Sequence, residues 1–307
     1  MKPTLVSAAI LLCQAAFGLA ADGAVAGEGN FPIRKVIDRT IDARLEACGA
    51  FDPASLPRFL DYPPNPVVAN SSFPIFDALF SSPFKPNPKF WAKGIDFSCA
   101  SPWNSGGGRL RAGTAISPRH IVFAKHFQLW RNVRVVFVGS DGLPCACHVE
   151  KTKALPDCDI MIASLNAELP PTVRPAKILP MNFTNFTGKV EGLPVVTLNQ
   201  FEKAYVSELM IPLTNSVYDL VSYHEPAVKG RKPYREKIRS GDSGGPVFMV
   251  VNNEPILLFC LTTTMGGYGL HLFRREIQKT MDELCPGYKL EEFDFGMFQS
   301  TTTQGNP

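Results

Sequence analysis

The chain has 307 residues, 45% of them hydrophobic and 19% charged. It is long enough to bury a core without cross-links and too apolar for a disordered tail or a coiled coil. Lys plus Arg number 31 against 28 Asp plus Glu, a net charge of +3, and so even a balance implies no nucleic-acid partner. With 27 prolines, 24 glycines, 22 phenylalanines and few long helical patterns, many short strands joined by turns are expected, which makes the class all-β.

Residues 1–20 carry a positive charge at Lys2, an apolar run from Leu5 to Phe17, and small residues Gly18 and Ala20 at the minus-three and minus-one positions of a cleavage site. This is the pattern of an export signal, too short to span a bilayer. The expectation is a secreted protein, extracellular or periplasmic, with no membrane contact after signal removal. Leu12 argues against lipidation of Cys13, because the residue before a lipidated cysteine is normally small. Export would allow cysteines to oxidise, and seven follow the signal: Cys48, Cys99, Cys145, Cys147, Cys158, Cys260 and Cys285. An odd number leaves at least one unpaired, and Cys260, inside the apolar run 256–261, reads as a buried free thiol. Cys145, Cys147, His148 and Cys158 offer four zinc ligands, but one residue between the first pair is less than the roughly two to four of structural zinc sites. Disulfides are therefore expected and no metal, with the pairing left open.

Residues 21–104 differ in texture. Ile37, Ile41 and Leu45 fall on one helical face, and proline-rich sequence follows from Pro53 to Pro88, as in an extension laid over a domain or a propeptide. Short β-type runs then occur at 113–116, 120–123, 133–138, 148–152 and 160–165. A proline-rich crossover at 167–180 leads to a second set at 195–198, 204–211, 217–222, 247–251 and 256–264. Finally, Phe273, Ile277, Met281 and Leu284 form one stripe of a helix over 272–284, expected to pack on the second β unit and to precede a tail, 285–307.

The segment Gly241-Asp242-Ser243-Gly244-Gly245-Pro246 places a serine among glycines, so that a tight turn can aim backbone N–H groups at a substrate oxygen. A serine hydroxyl is a poor nucleophile until an imidazole accepts its proton, and a carboxylate orients that imidazole. Upstream, Gly113-Thr-Ala-Ile-Ser-Pro-Arg-His-Ile-Val-Phe-Ala-Lys-His126 ends a strand-turn-strand pattern on a histidine. Asp157-Cys-Asp159-Ile-Met-Ile-Ala-Ser-Leu starts an apolar strand from an acid. In the order His, Asp, Ser, these segments resemble the chymotrypsin-like (trypsin-fold) serine peptidases over roughly residues 105–284.

The resemblance implies two antiparallel β-barrels, about 105–180 and 181–270, with the C-terminal helix 272–284 and the N-terminal extension. It implies a secreted endopeptidase that acts on polypeptide through an acyl-enzyme, with no metal and no organic cofactor. Carried onto this chain, His126 is the base, Asp159 its orienting carboxylate and Ser243 the nucleophile, with the N–H groups of Gly241 and Ser243 as the oxyanion hole. Asp242 would point inward and accept an ion pair. The strand 257–264 would pair with extended substrate, with Thr262 beside the buried carboxylate and Thr264 as a substrate-binding residue. Lys237 would lie near the floor of the specificity pocket and favour an acidic side chain.

Asp157 is the nearest rival to Asp159, but the apolar run begins directly after the latter. His120, His148, His224 and His271 lack the pattern that precedes His126. Lys229, Arg231, Lys232, Arg235, Lys237 and Arg239 read as a solvated basic loop. The sequence also departs from the family. Phe127 and Arg239 stand where cysteines are usual, no Ile-Val-Gly-Gly activation site lies shortly before Gly113, and Lys125 replaces a small residue. An inward ammonium there would oppose an imidazolium, so Lys125 is expected to point to solvent. Two other readings compete. One is a catalytically weak or inactive homologue acting as a protein-binding module. The other is the Gly-X-Ser-X-Gly elbow of an α/β-hydrolase, which needs an acid and a histidine after the serine, where only His271 follows.

Overall fold

A computed structural model describes residues 32–48, 75–76, 84–101, 113–127, 129–200, 202–210, 221–223, 226–236, 238–264 and 266–298. Most of the regular structure is strand. Strands β1 (Thr114–Ser117), β2 (His120–Ala124), β3 (Arg134–Val138), β4 (Pro144–Ala154) and β5 (Ile160–Leu165) form one antiparallel sheet in the order β1-β2-β5-β4-β3. The β-branched runs of β2 and β5 are buried along their whole length, which suits central strands covered on both faces, whereas β4 leaves most of its residues at least partly exposed.

The second sheet comprises β6 (Lys177–Ile178), β7 (Pro194–Leu198), β8 (Ala204–Met210), β9 (Val221–Tyr223), β10 (Pro246–Val251) and β11 (Glu254–Cys260), in the order β6-β11-β10-β7-β8-β9. Only the two-residue β6 is parallel to its neighbour. Asn252 and Asn253, both with positive φ, make the tight β10–β11 turn whose twist matches the strands it joins. The expected short strands are present where the residues are described, residues 217–220 lying outside them, and the described residues are β-rich with a curled antiparallel half-barrel sheet and few helices, in keeping with an all-β class. Phe123, Phe137 and Ile162 from the first sheet share one core with Val196, Phe248 and Leu257 from the second.

Among the described residues three α-helices flank the strands: α1 (Pro32–Ala47), the single turn α2 (Thr184–Thr187) and α3 (Arg274–Leu284). α1 begins on a proline, which is tolerated where no intrahelical N–H bond is lost. It buries Ile33, Ile37, Ile41 and Leu45, one residue per turn, and each such burial is worth about 1.5–3 kcal/mol. This stripe lies against β7 and β10 and against the 3₁₀ segment Lys229–Tyr234. The helix is thus part of the core around the second sheet. α3 does not pack on the second β unit as expected. Its stripe of Ile277, Met281 and Leu284 meets β4 and β5 of the first sheet, where Met281 O accepts a hydrogen bond from His120 Nε2 and Glu283 pairs with Lys153.

The expected disulfides are not formed among the described residues: all seven cysteines there are free. Cys145 and Cys147 alternate along β4, so their Cα atoms stand about 6.7 Å apart with parallel Cβ vectors, near the outer limit for a bridge. Cys260 is buried, as expected, with its Sγ 3.9 Å from Val122 O. Burial pushes its thiol up to about 12 and that of Cys147 up to about 11, far from thiolate reactivity.

Candidate active site

The register of the first sheet brings His126 and Asp159 together. β2 and β5 pair antiparallel up to Ala124 opposite Ile160, and one further rung, Lys125 N–H to Asp159 O at 3.1 Å, continues the ladder. A single 3₁₀ turn, Lys125–Phe127, follows and swings the imidazole back over the carboxylate. Asp159 Oδ1 accepts the backbone N–H of His126 at 2.8 Å, and Oδ2 lies 2.5 Å from His126 Nδ1. An ionised carboxylate only accepts, so Nδ1 carries the proton and Nε2 is left as an acceptor. The hydrogen bond and charge of Asp159 raise the imidazole pKa above its ordinary value, against partial desolvation. Asp157 is exposed at a positive-φ position and takes no part.

Ser243 arrives from the other sheet, on the loop that enters β10. Its Oγ lies 2.8 Å from His126 Nε2. The loop is a turn closed by Asp242 N–H to Arg239 O at 3.1 Å, with Gly241 at φ +99°. Positive φ at the third residue, with none at Ser240, is the type II arrangement that glycine alone adopts without strain. Gly245 is required for a different reason: a Cβ there would stand 2.5 Å from Leu198 O, so the Ser243 loop sits directly on the end of β7. Gly244 N–H and Gly245 N–H are bonded within this packing, to Leu261 O and Asp242 O. The N–H groups of Gly241 and Ser243 donate to no acceptor among the described residues. Two free donors beside a hydrogen-bonded Ser, His and Asp are what acyl transfer requires.

Asp242 is buried but forms no ion pair among the described residues. Its Oδ1 accepts Gln200 N–H at 3.1 Å and its Oδ2 accepts Arg239 N–H at 2.7 Å. Burial pushes the carboxyl up while these bonds pull the other way. The expected ion pair is replaced by neutral donors, one from the turn after β7 and one from the loop itself.

Thr262 Oγ1 makes no hydrogen bond among the described residues, so it does not bond to the Asp159 carboxylate. The amides of Thr262 and Thr263 both turn onto Gly266 O, and Thr264 is exposed. Lys237 and His224 lie outside the described residues. Lys125 is exposed. His120 is buried between Ser117 and Met281, where desolvation holds its imidazole down to about 4; His271 is buried and His148 exposed on β4. No group of three or more His, Cys, Asp or Glu among the described residues is arranged to hold a metal ion.

No protein-family model matches this chain, and no curated protein is significantly similar to it.

The basic loop before the site is not uniformly solvated. Arg231 is 2% exposed. Its Nε and Nη2 make a two-pronged contact with Asp42 at 2.8 Å each, Nη2 also meets Asp38 at 2.7 Å, and Nη1 meets Glu208 at 3.0 Å. Burial alone would depress the guanidinium, and the carboxylates of α1 outweigh it. The feature in the sequence that could have revealed this is the pair Asp38 and Asp42, one helical turn apart on α1.

Proposed function

We propose that this protein is a secreted serine endopeptidase of the chymotrypsin-like class. The observation that carries the reading is the chain of hydrogen bonds from Asp159 through His126 to Ser243, with the unbonded N–H groups of Gly241 and Ser243 beside it. As a peptide carbonyl is attacked by Ser243 Oγ, the hydroxyl proton passes to His126 Nε2, and the new oxyanion accepts the two N–H groups. Collapse of the tetrahedral intermediate breaks the C–N bond, and the departing amine takes the proton from Nε2. Water, activated by the same nitrogen, then releases the acid product and restores Ser243. This chemistry calls on no metal or organic cofactor. The secreted location rests on the leader expected at residues 1–20.

Strand order supports the double-barrel reading. The segment at Ala100 bridges to Thr114, and counted as strand a it gives the first sheet the order a-b-c-f-e-d, where β1 to β5 are b to f. With β7 to β11 as a to e, the second sheet runs e-d-a-b-c beside β6, which is five of the six members of that cycle in the same order, cut at another place. The reading as an inactive binding module drew on Lys125 and on the missing disulfide framework; the exposure of Lys125 weakens the first of these, the charge argument against the imidazolium.

The test is covalent labelling by an alkyl fluorophosphonate. Wild-type protein is expected to react at one site and Ser243→Ala not at all. A folded wild type that resists the reagent would end this reading.

A further inference from the structure

Gln200 is the second residue past the end of β7 and is 5% exposed. Its side chain lies behind the nucleophile loop, close enough that a Cβ on Gly241 would meet its amide oxygen at 2.5 Å. Its Nε2 donates to Ser240 O at 3.0 Å, while its backbone N–H donates to Asp242 Oδ1 at 3.1 Å. The second bond fixes the residue before Ser243. The first bears on the chemistry, because Ser240 O belongs to the same peptide unit as Gly241 N–H.

That unit is planar and trans, so its C=O and N–H point in opposite directions. A type II turn is separated from type I by rotation of this central peptide. In the type I form, Gly241 N–H would leave the oxyanion position. A donor that holds Ser240 O on the inner side therefore holds Gly241 N–H on the outer side, toward Ser243. It also polarises the peptide and strengthens the outward donor.

We propose that Gln200 is the positioning residue for the oxyanion hole, acting through the Ser240–Gly241 peptide; this rests on the proposed peptidase reading. The hole is then set by a side chain already in the folded chain, and no new amino terminus is needed to form it. Gln200 touches no reacting atom.

The experiment compares phosphonylation of Ser243 by an alkyl fluorophosphonate in wild type, Gln200→Met and Gln200→Glu. Met keeps the volume and the backbone N–H but has no donor, and Glu places a carboxylate oxygen where the amide stood. At saturating reagent the Met variant is expected to react about 10- to 100-fold more slowly, somewhat less than the loss of a whole oxyanion donor. The half-saturating reagent concentration and the acid limb of the pH profile should stay as in wild type, since His126 and Asp159 are untouched. Glu should be slower still, because its carboxylate repels Ser240 O, and it serves alone if the Met variant does not fold. Either folded variant reacting as fast as wild type would overturn the role of Gln200 and leave the peptidase reading standing. An unreactive wild type would overturn both. A slowing accompanied by a displaced acid limb would also count against the proposal, since it would place the damage at His126.

Discussion

His126 and Asp159 stand just past the paired ends of β2 and β5, and a ladder of backbone hydrogen bonds between two buried strands fixes their separation. Ser243 stands on a turn just before the rungs Gly244 N–H to Leu261 O and Leu261 N–H to Gly245 O, which extend the β10–β11 ladder, so the turn itself lies outside the paired strands. Beyond its own backbone bonds, that turn is held by side chains: Gln200 on the Ser240 carbonyl, Asp242 on two backbone N–H groups, and Arg231 tying the segment before the loop to α1. The two halves of the site thus differ in what has to be conserved to hold them. Register tolerates changes in side chain as long as the strands pair, whereas the loop depends on individual polar groups whose partners lie far away in the chain.

The sharpest way to test this division is to remove groups at the centre and then move outward. Ser243→Ala should lower kcat by about 10⁶-fold and Asp159→Asn by about 10⁴-fold, with unchanged thermal unfolding in both, read from peptide hydrolysis beside a melting curve. Gly241→Ala sits on the loop side of the comparison. Its Cβ meets the Gln200 amide and its φ is strained, so kcat should fall by about 10²- to 10³-fold, the loss of one oxyanion donor, with little change in KM.

Arg231→Ala leaves Asp38, Asp42 and Glu208 without their shared cation and should cost about 3 kcal/mol in urea unfolding, as for a buried pair broken on one side. If the register side is as independent as it looks, the acid limb of the pH profile should not move in this variant. The limb itself is the smallest effect. His126 must be neutral to accept the Ser243 proton, and Asp159 raises its pKa, so activity should fade with acid from a midpoint above the ordinary 6.5 and Asp159→Asn should lower that midpoint. His120 gives the companion measurement. Its folded pKa of about 4 lies below the ordinary 6.5, so between these values the unfolded chain binds more protons and stability falls as pH is lowered through that window.

Much of this was legible in the sequence because it is local. The strands announced themselves as short apolar runs, α1 as isoleucines one turn apart, and the proposed nucleophile as a serine among glycines. Asp159 was separable from Asp157 because the apolar strand starts directly after it. What stayed hidden depends on distant partners. Arg231 looks like any cation in a basic run until Asp42, 189 positions earlier, is placed beside it. Gln200 is one polar residue after a strand until Ser240, 40 positions later, comes within reach. The α3 stripe marked a helix but not the sheet it would meet, and a count of cysteines does not record that Cys145 and Cys147 share one face of a strand.

The unbridged thiols also make the two halves separately observable. Cys147 and Cys158 belong to the first sheet and its β4–β5 connection, and Cys260 ends β11; each is shielded from solvent. An alkylating reagent reaches such a sulfur only when the surrounding segment opens. The relative rates of carbamidomethylation at these three positions would therefore report, in the unlabelled native chain, how often each half breathes and whether the breathing is shared.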